Sequence, residues 1–459
     1  MKSKSNSRRD FLKKSSVITA GTMILPTVVP STVFGKTAPG NQITVGMVGT
    51  GRQALAANLR GGFLKLDNCR VIATNDVDKW RMNLVTKAIN DHYSEAGKNY
   101  KGVTEYDDYR DLINNKDIDA VMISTTDHWH APATIHAALA GKHVCMEKAF
   151  TVAPAWGTAV VEAVRKKGVA NRLDSEFRTI KAMHRAVELV HNGVIGELVE
   201  VVVGVPGELN GSAPGPQENM PIPKELNYDM WLGPAFQAPY TLKRVHDPGK
   251  INTRPGWLRI SDYCNGMITN WGAHLNDIAF WGMKKEYELP VSVEGTGTFD
   301  KGLWHTISTF DINYEYADGL KLKYQIDKPY VKFIGKNAWV KAEYPDTLTA
   351  SNDKILAYKP GVNDVSYNDT PTDKADFLQS IETGKPTMEP LEVGNNVYML
   401  TMMGLFSVQL GRKLNWDNKT RTFINDNAAN SMMTRPFREK WIDKHVVDWM
   451  NKYQEFELK

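Results

Sequence analysis

The chain contains little cysteine. Only Cys69, Cys145 and Cys264 occur in 459 residues, and no pair has C-x-x-C spacing. An odd count argues against a disulfide framework, and the missing ligand spacing argues against a cysteine-based metal site. The three are expected to be small buried hydrophobes, and no metal is expected. Charge of one sign is also lacking. The formal net charge is +4, but six Lys and Arg against the single Asp10 crowd residues 1–35. That segment holds the excess, and the rest is close to neutral. No later basic run interleaves with aromatics, so no nucleic-acid partner is expected. No repeat occurs at solenoid periods. The longest apolar run, Val17 to Val29, is short and broken by Pro26, a poor fit to a membrane-spanning helix.

What is present is a globular composition, 42% hydrophobic and 24% charged, long enough for two or three domains. The N-terminus has the order of a cleaved leader: a basic stretch through Lys14, an apolar run, then small residues near Gly35. Ser7-Arg8-Arg9-Asp10-Phe11-Leu12-Lys13 fits the twin-arginine signal S-R-R-x-F-L-K. Residues 1–35 are therefore read as a signal peptide recognised by the twin-arginine export machinery. The mature protein is expected in the periplasm, with membrane association as an alternative. Cargo of that pathway crosses folded, which suits a protein that carries a cofactor loaded before export.

From 42 to 174, short β-rich runs alternate with helical stretches, among them a small Ala-rich helix expected at 131–140 after the Asp127-His128-Trp129-His130 turn, the pattern of a doubly wound parallel sheet. Ile43–Ala54, ITVGMVGTGRQA, gives strand, glycine turn and helix start in order. This is the context a G-x-G-x-x-G/A fingerprint requires. Gly49 permits the tight turn, Gly51 lets the backbone approach a pyrophosphate, and Ala54 supplies the third small position. Thr50, Arg52 and Gln53 complete the phosphate turn at a helix N-terminus. Asp76 ends the second strand and is placed to accept ribose hydroxyls, so NAD is favoured; NADP is the alternative, because Arg52 and Arg81 could blunt that preference. Asp78 is expected to cap the following helix.

After 175 the texture changes. A long Pro- and Gly-rich stretch, 205–255, carries Tyr228-Asp229-Met230-Trp231-Leu232-Gly233-Pro234 and reads as a functional loop or lid. Alternating runs between 291 and 343 predict one open, mainly antiparallel sheet. Helices are expected at 374–383 and 394–410, and the polar tail after Trp416 is read as wrapping the surface. The fold class is thus α/β: a Rossmann domain (42–174), a second α/β domain (175–435), and a tail (436–459).

These segments resemble the glucose–fructose oxidoreductase / inositol dehydrogenase (Gfo/Idh/MocA) family. The carrying motifs are GMVGTGRQA, TNDVD, TTDHWHAPAT, CMEKAF and NGMITNWGAHLNDIAFWG. The resemblance implies a cofactor between the two domains, a carbohydrate or cyclitol substrate, and a homo-oligomer, dimer or tetramer, formed through the second sheet. It also implies that Lys148, in the place of the family's E-K-P lysine, moves a proton, with Glu147 orienting it. His274 is the second acid/base candidate, and Asn270 stands where the family has Asp; the four-residue spacing puts the two on one face if the stretch is helical. Ala149, in place of Pro, is the other departure. Thr125, His128 and His130 are expected to line the nicotinamide pocket. Arg178, Trp257, Trp271 and Asp277 are candidate substrate contacts, Asp277 being equally readable as a structural carboxylate.

Three activities stay open on this reading. The first is oxidation of a ring hydroxyl by NAD(P). The second is a glycosidase or lyase that retains NAD and cycles through oxidation, elimination and reduction. The third is a sugar-binding relative impaired at Ala149 and Asn270.

Overall fold

The computed structural model describes residues 42–97, 102–207, 215, 217–367 and 370–454; the leader lies outside them. Six parallel strands form the first sheet: β1 (Ile43–Val48), β2 (Cys69–Asn75), β3 (Thr104–Tyr106), β4 (Ala120–Ile123), β5 (His143–Glu147) and β6 (Asn171–Asp174). Their order is β3-β2-β1-β4-β5-β6. Strand order reverses between β1 and β4, and the crevice at their carboxyl ends is where such sheets bind ligands. Burial drives this arrangement. Strands β1, β4 and β5 are almost continuously apolar, as strands covered on both faces must be.

The second sheet contains β7 (Leu198–Val205), β8 (Ser292–Phe299), β9 (Ile307–Glu315), β10 (Lys321–Ile326), β11 (Tyr330–Gly335), β12 (Trp339–Glu343), β13 (Thr347–Ala350), β14 (Leu414–Asp417) and β15 (Thr422–Phe423). The order is β13-β12-β11-β7-β10-β9-β8-β14-β15. Only β10 and β7 pair in parallel; the other pairs are antiparallel. Strands such as β11 alternate buried and half-buried residues, the mark of a sheet with one packed face.

The helix Leu391–Leu410 joins the two halves. It is buried almost all round and packs on β8 and β9 on one side and on the helix Pro154–Lys167 on the other. Close approach is set by glycine. A Cβ on Gly394 would stand 2.6 Å from Leu173 Cδ2, and one on Gly404 would stand 2.3 Å from Tyr314 Oη.

Three sequence expectations change. The helix after β4 begins at Asp127, not Ala131, so Asp-His-Trp-His is the first turn of Asp127–Leu139 and not a turn before it. Asn270 and His274 do not share one helix. Met267–Asn270 ends at Trp271, and Gly272–Met283 begins beyond it. The tail does more than wrap the surface. The helix Lys444–Asn451 buries Val446, Val447, Trp449 and Met450, and Trp449 Nε1 donates to the Ala159 carbonyl at 2.9 Å. Its apolar i, i+3 spacing was hidden in a polar stretch. Among the described residues, no helix is long and apolar enough to cross a membrane.

Candidate functional site

A cleft of about 1310 Å³, its open mouth included, lies at the carboxyl ends of β1, β2, β4 and β5. Gly49 has φ +89°, and a Cβ there would come within 2.6 Å of the Ser124 backbone. Only glycine therefore allows the chain to turn here. A Cβ on Gly51 would meet nothing within 4 Å, although Gly51 lines the cleft. Its missing side chain leaves room for a ligand to reach the backbone. The turn opens into Ala54–Gly62, wound as a π-helix, and the first N–H groups of a helix lack internal partners. Asp76 braces the turn: Oδ2 accepts from Thr50 N and Oγ1 at 2.7 and 2.8 Å, and Oδ1 accepts from Asp78 N at 2.9 Å.

The residues present fit an NAD. A glycine cradle meets a helix start, an acid stands at the ribose position, and Thr125 Oγ1 is buried at the cleft wall without a hydrogen-bond partner. Gly49, Gly51, Arg52, Gln53, Asp76, Thr125, Glu147, Lys148, Trp257 and Asn270 all line this cleft. Thr50 stands behind them through its bonds to Asp76.

Lys148 follows β5 and is half-buried. Its Nζ makes no hydrogen bond or ion pair with the described residues, so it is free for a substrate. The Lys148–Ala149 peptide bond is cis. His274 is buried beside Lys148 and stacks on Phe177 with centroids 4.3 Å apart. Its Nδ1 faces the Ser175 carbonyl. That contact places the proton on Nδ1 and leaves Nε2 as the acceptor. Burial first, and then the Lys148 charge, push its pKa down to about 3. At neutral pH it is therefore an uncharged imidazole.

Other expected residues are placed elsewhere. Arg178 and Asp277 form a buried two-point pair, Nε to Oδ2 at 2.8 Å and Nη2 to Oδ1 at 2.5 Å. Arg178 Nη1 also donates to Glu286 and the Met388 carbonyl. Neither lines the cleft. Trp271 packs edge-on to Tyr344, 5.4 Å away, in a cluster with Phe177 and His274. His128 and His130 sit under the cleft floor. His128 Nε2 bonds the Trp231 carbonyl, and His130 lies between the carbonyls of Phe150 and Thr125. Burial pushes them down to about 3 and about 4. Three of their four ring nitrogens face backbone carbonyl oxygens, and His128 Nδ1 is buried without a hydrogen-bond partner.

The long loop is legible in the structure as a clamp. Trp129 Nε1 donates to the carbonyls of Met230 and Trp231, so the DHWH and WLGP motifs interlock. At the far end Asn227 N bonds the Val77 carbonyl and Lys79 N bonds the Glu225 carbonyl. Arg81 Nη2 donates to the carbonyls of Asp247 and Lys250. Asp78 caps Lys79–Glu95 as expected, accepting from Trp80 N and Arg81 N. Arg81 lines the cleft near Asp76, where it was expected to blunt the preference for NAD. His246 lines the cleft too, was not foreseen, and no local motif marks it.

Asp127 was also missed. It lines the cleft, 2% exposed, with Oδ2 unpartnered. Burial raises its carboxyl to about 7, against lowering by a hydrogen bond with Cys264 and by the Lys148 charge. The sequence signal was an acid four residues past a central parallel strand, inside the TTDHWHAPAT motif.

Comparison with known proteins agrees with this geometry. The profile described as "Oxidoreductase family, NAD-binding Rossmann fold" matches residues 43–174, and "Oxidoreductase family, C-terminal alpha/beta domain" matches 180–443. The chain belongs to the Gfo/Idh/MocA oxidoreductase family, and its first domain is an NAD-binding domain. It is 28% identical over 209 residues to a Shewanella sp. (strain ANA-3) protein named glycosyl hydrolase family 109 protein 2, covering 42% of this chain and 44% of that one. It is 30% identical over 106 residues to levoglucosan dehydrogenase of Pseudarthrobacter phenanthrenivorans, covering 23% and 27%. The chain thus spans less than half the length of these curated relatives. The aldose-aldose oxidoreductase of Caulobacter crescentus shares the fold with a TM-score of 0.59 at 16% identity, covering 82% of this chain and 99% of that one. The WlbA dehydrogenase of Bordetella pertussis, solved with NADH and UDP-GlcNAcA, gives 0.58 at 14%, covering 82% and 99%.

Proposed function

We propose that the chain is an NAD-retaining enzyme that oxidises a ring hydroxyl of a sugar, glycoside or cyclitol. The observation that carries this is the unpartnered Lys148 Nζ in a cleft that also offers Asn270, with the neutral imidazole of His274 behind. The bound nicotinamide supplies hydride acceptance and return. Lys148 takes the hydroxyl proton as the carbinol hydrogen leaves. Asn270 hydrogen-bonds a substrate hydroxyl, and its lack of charge suits an uncharged His274. Trp257 offers a ring face to the apolar side of a sugar. NAD is preferred to NADP because a 2′-phosphate would face Asp76.

A second reading is favoured by the loop clamp. A cofactor enclosed by residues 223–258 leaves slowly, which suits a cycle that restores it each turnover. Such a cycle oxidises one carbon, removes the neighbouring C–H proton, expels the aglycone, adds water and reduces again. It needs an acid besides Lys148, and Asp127 is placed to serve. The relatives named glycosyl hydrolases point the same way. The test is to assay aryl glycosides and free sugars without added nucleotide. Nitrophenol release with no net NADH supports the cycle. NADH formed up to the amount of bound NAD, and continuing only when NAD is added, supports simple oxidation. No reaction with either, in protein that holds nucleotide, sinks both. Export by the twin-arginine pathway, residence in the periplasm, and self-association through the second sheet complete the proposal. The carrying features are the S-R-R-x-F-L-K leader and the one-sided packing of β7–β13.

A further inference from the structure

Behind Lys148, the carboxylates of Glu147, Asp174 and Glu176 approach within 4.8 Å of one another. Glu147 is 4% exposed and Asp174 fully buried. Nearby cations are Lys148 itself and Lys374, which enters past Gly62 from the helix Asp373–Thr383. Lys374 Nζ donates to both Asp174 oxygens at 2.6 and 2.5 Å and to Asp373 Oδ2 at 2.6 Å. Its charge is therefore committed to two other carboxylates.

Glu147 and Glu176 are left with neutral amides. Asn58 Nδ2 donates to Glu147 Oε1 at 3.1 Å, and Glu147 Oε2 is buried with no hydrogen-bond partner. Gln53 Nε2 donates to Glu176 Oε1 at 2.9 Å. The backbone holds Glu176 at φ +66°, a conformation that costs a non-glycine residue about 1 kcal/mol. This spends free energy on placing that side chain. Two carboxylates so close in a dry site do not both ionise. The groups facing the pair are Asp373 and Lys374 from one helix, Asp174 from β6, Lys148 just past β5, and amides from the segment Gln53–Gly62; the two lysines oppose protonation, and burial and the neighbouring carboxylates favour it. Burial first, and then the neighbouring carboxylate, raise Glu176 to about 7; burial also raises Glu147.

We propose that Glu147 and Glu176 share one proton and, carrying a single negative charge between them, act as positioning residues for the charge on Lys148. The role rests on the reading of Lys148 as the proton-transfer residue; the proton sharing does not. Two charges behind Lys148 would hold it permanently as the ammonium. None would leave the ammonium unsupported once it has taken the substrate proton. The shared proton itself stays in the pair throughout turnover.

The test uses the full purified chain and needs no substrate. Infrared difference spectra are taken between wild type and Glu147→Gln, and between wild type and Glu176→Gln, at neutral pH. Sharing requires that either substitution abolish the same protonated-carboxyl band, because the remaining partner then ionises. Loss in one variant alone means an independently protonated acid and overturns the proposal, as does loss in neither. Thermal unfolding confirms that these isosteric variants fold. The role is then read from pH profiles of kcat/KM. The double variant moves the limb that Lys148→Ala abolishes to lower pH by about one unit, while each single variant moves it less than half as far. Equal shifts in singles and double would overturn the role while leaving the assignment of Lys148 intact.

Discussion

His246 Nε2 lies 2.9 Å from Asp78 Oδ2, which ties the long loop of the second domain to the residue that caps the first helix after the acidic turn. Asp78 is held below the usual carboxylate range: burial opposes this, but the hydrogen bond and charge of His246 outweigh it, with Arg81 adding to them. A charge-assisted bond of this kind contributes about 1.5–3 kcal/mol. Replacing His246 by Ala should therefore speed loss of bound nucleotide roughly tenfold or more, measured by dialysis and acid release. An unchanged release rate would show that the loop does not retain the cofactor.

The interlock of Trp129 with the WLGP turn depends on Gly233. A Cβ at Gly233 would lie 2.2 Å from the indole, and its φ is +47°. Gly233→Ala forces both an overpacked contact and a backbone conformation that suits only glycine, a cost of at least about 2 kcal/mol. The melting temperature should fall by several degrees. Trp129→Phe, which relieves the clash, should recover part of that loss.

Acid stability should depend on the buried histidines. His274 has a folded pKa near 3 against about 6.5 when unfolded. Its contribution is fully present above pH ~6.5 and is lost as pH falls from there toward the folded value, because the unfolded chain binds the extra proton. His274→Asn should therefore reduce proton uptake on unfolding at pH ~5 by about one, compared with wild type. Equal uptake would mean that His274 is charged in the folded protein.

Lys148→Ala should keep its nucleotide and lose turnover by about 10²–10⁴-fold, the usual contribution of a positioned proton-transfer group. Nucleotide content and kcat are measured on the same preparation. Retained turnover would remove Lys148 from the chemistry.

Much of the first domain was legible because local and global signals agree there. Ile43–Val48 is strand by pattern and by structure, and Gly49 is demanded by a turn that its neighbours in sequence announce. The Asp127 helix start was misread because a buried first turn, rich in His and Trp, carries no amphipathic period. The clamp residues were illegible for a different reason. Arg81 reaches Asp247 and Lys250 over 166 and 169 residues of sequence, and no window of sequence holds both partners. Arg178, read as a substrate contact, and Asp277, read as a substrate contact or equally as a structural carboxylate, pair with each other across 99 residues. Charged residues near an expected cleft do not reveal from sequence whether a partner has already claimed them.

The most direct test of the account is the nucleotide content of the chain as purified, after desalting and acid release. The account gives close to one NAD per chain, with little NADP, before any nucleotide is added. A preparation that carries none, and binds none when NAD is supplied, would contradict it.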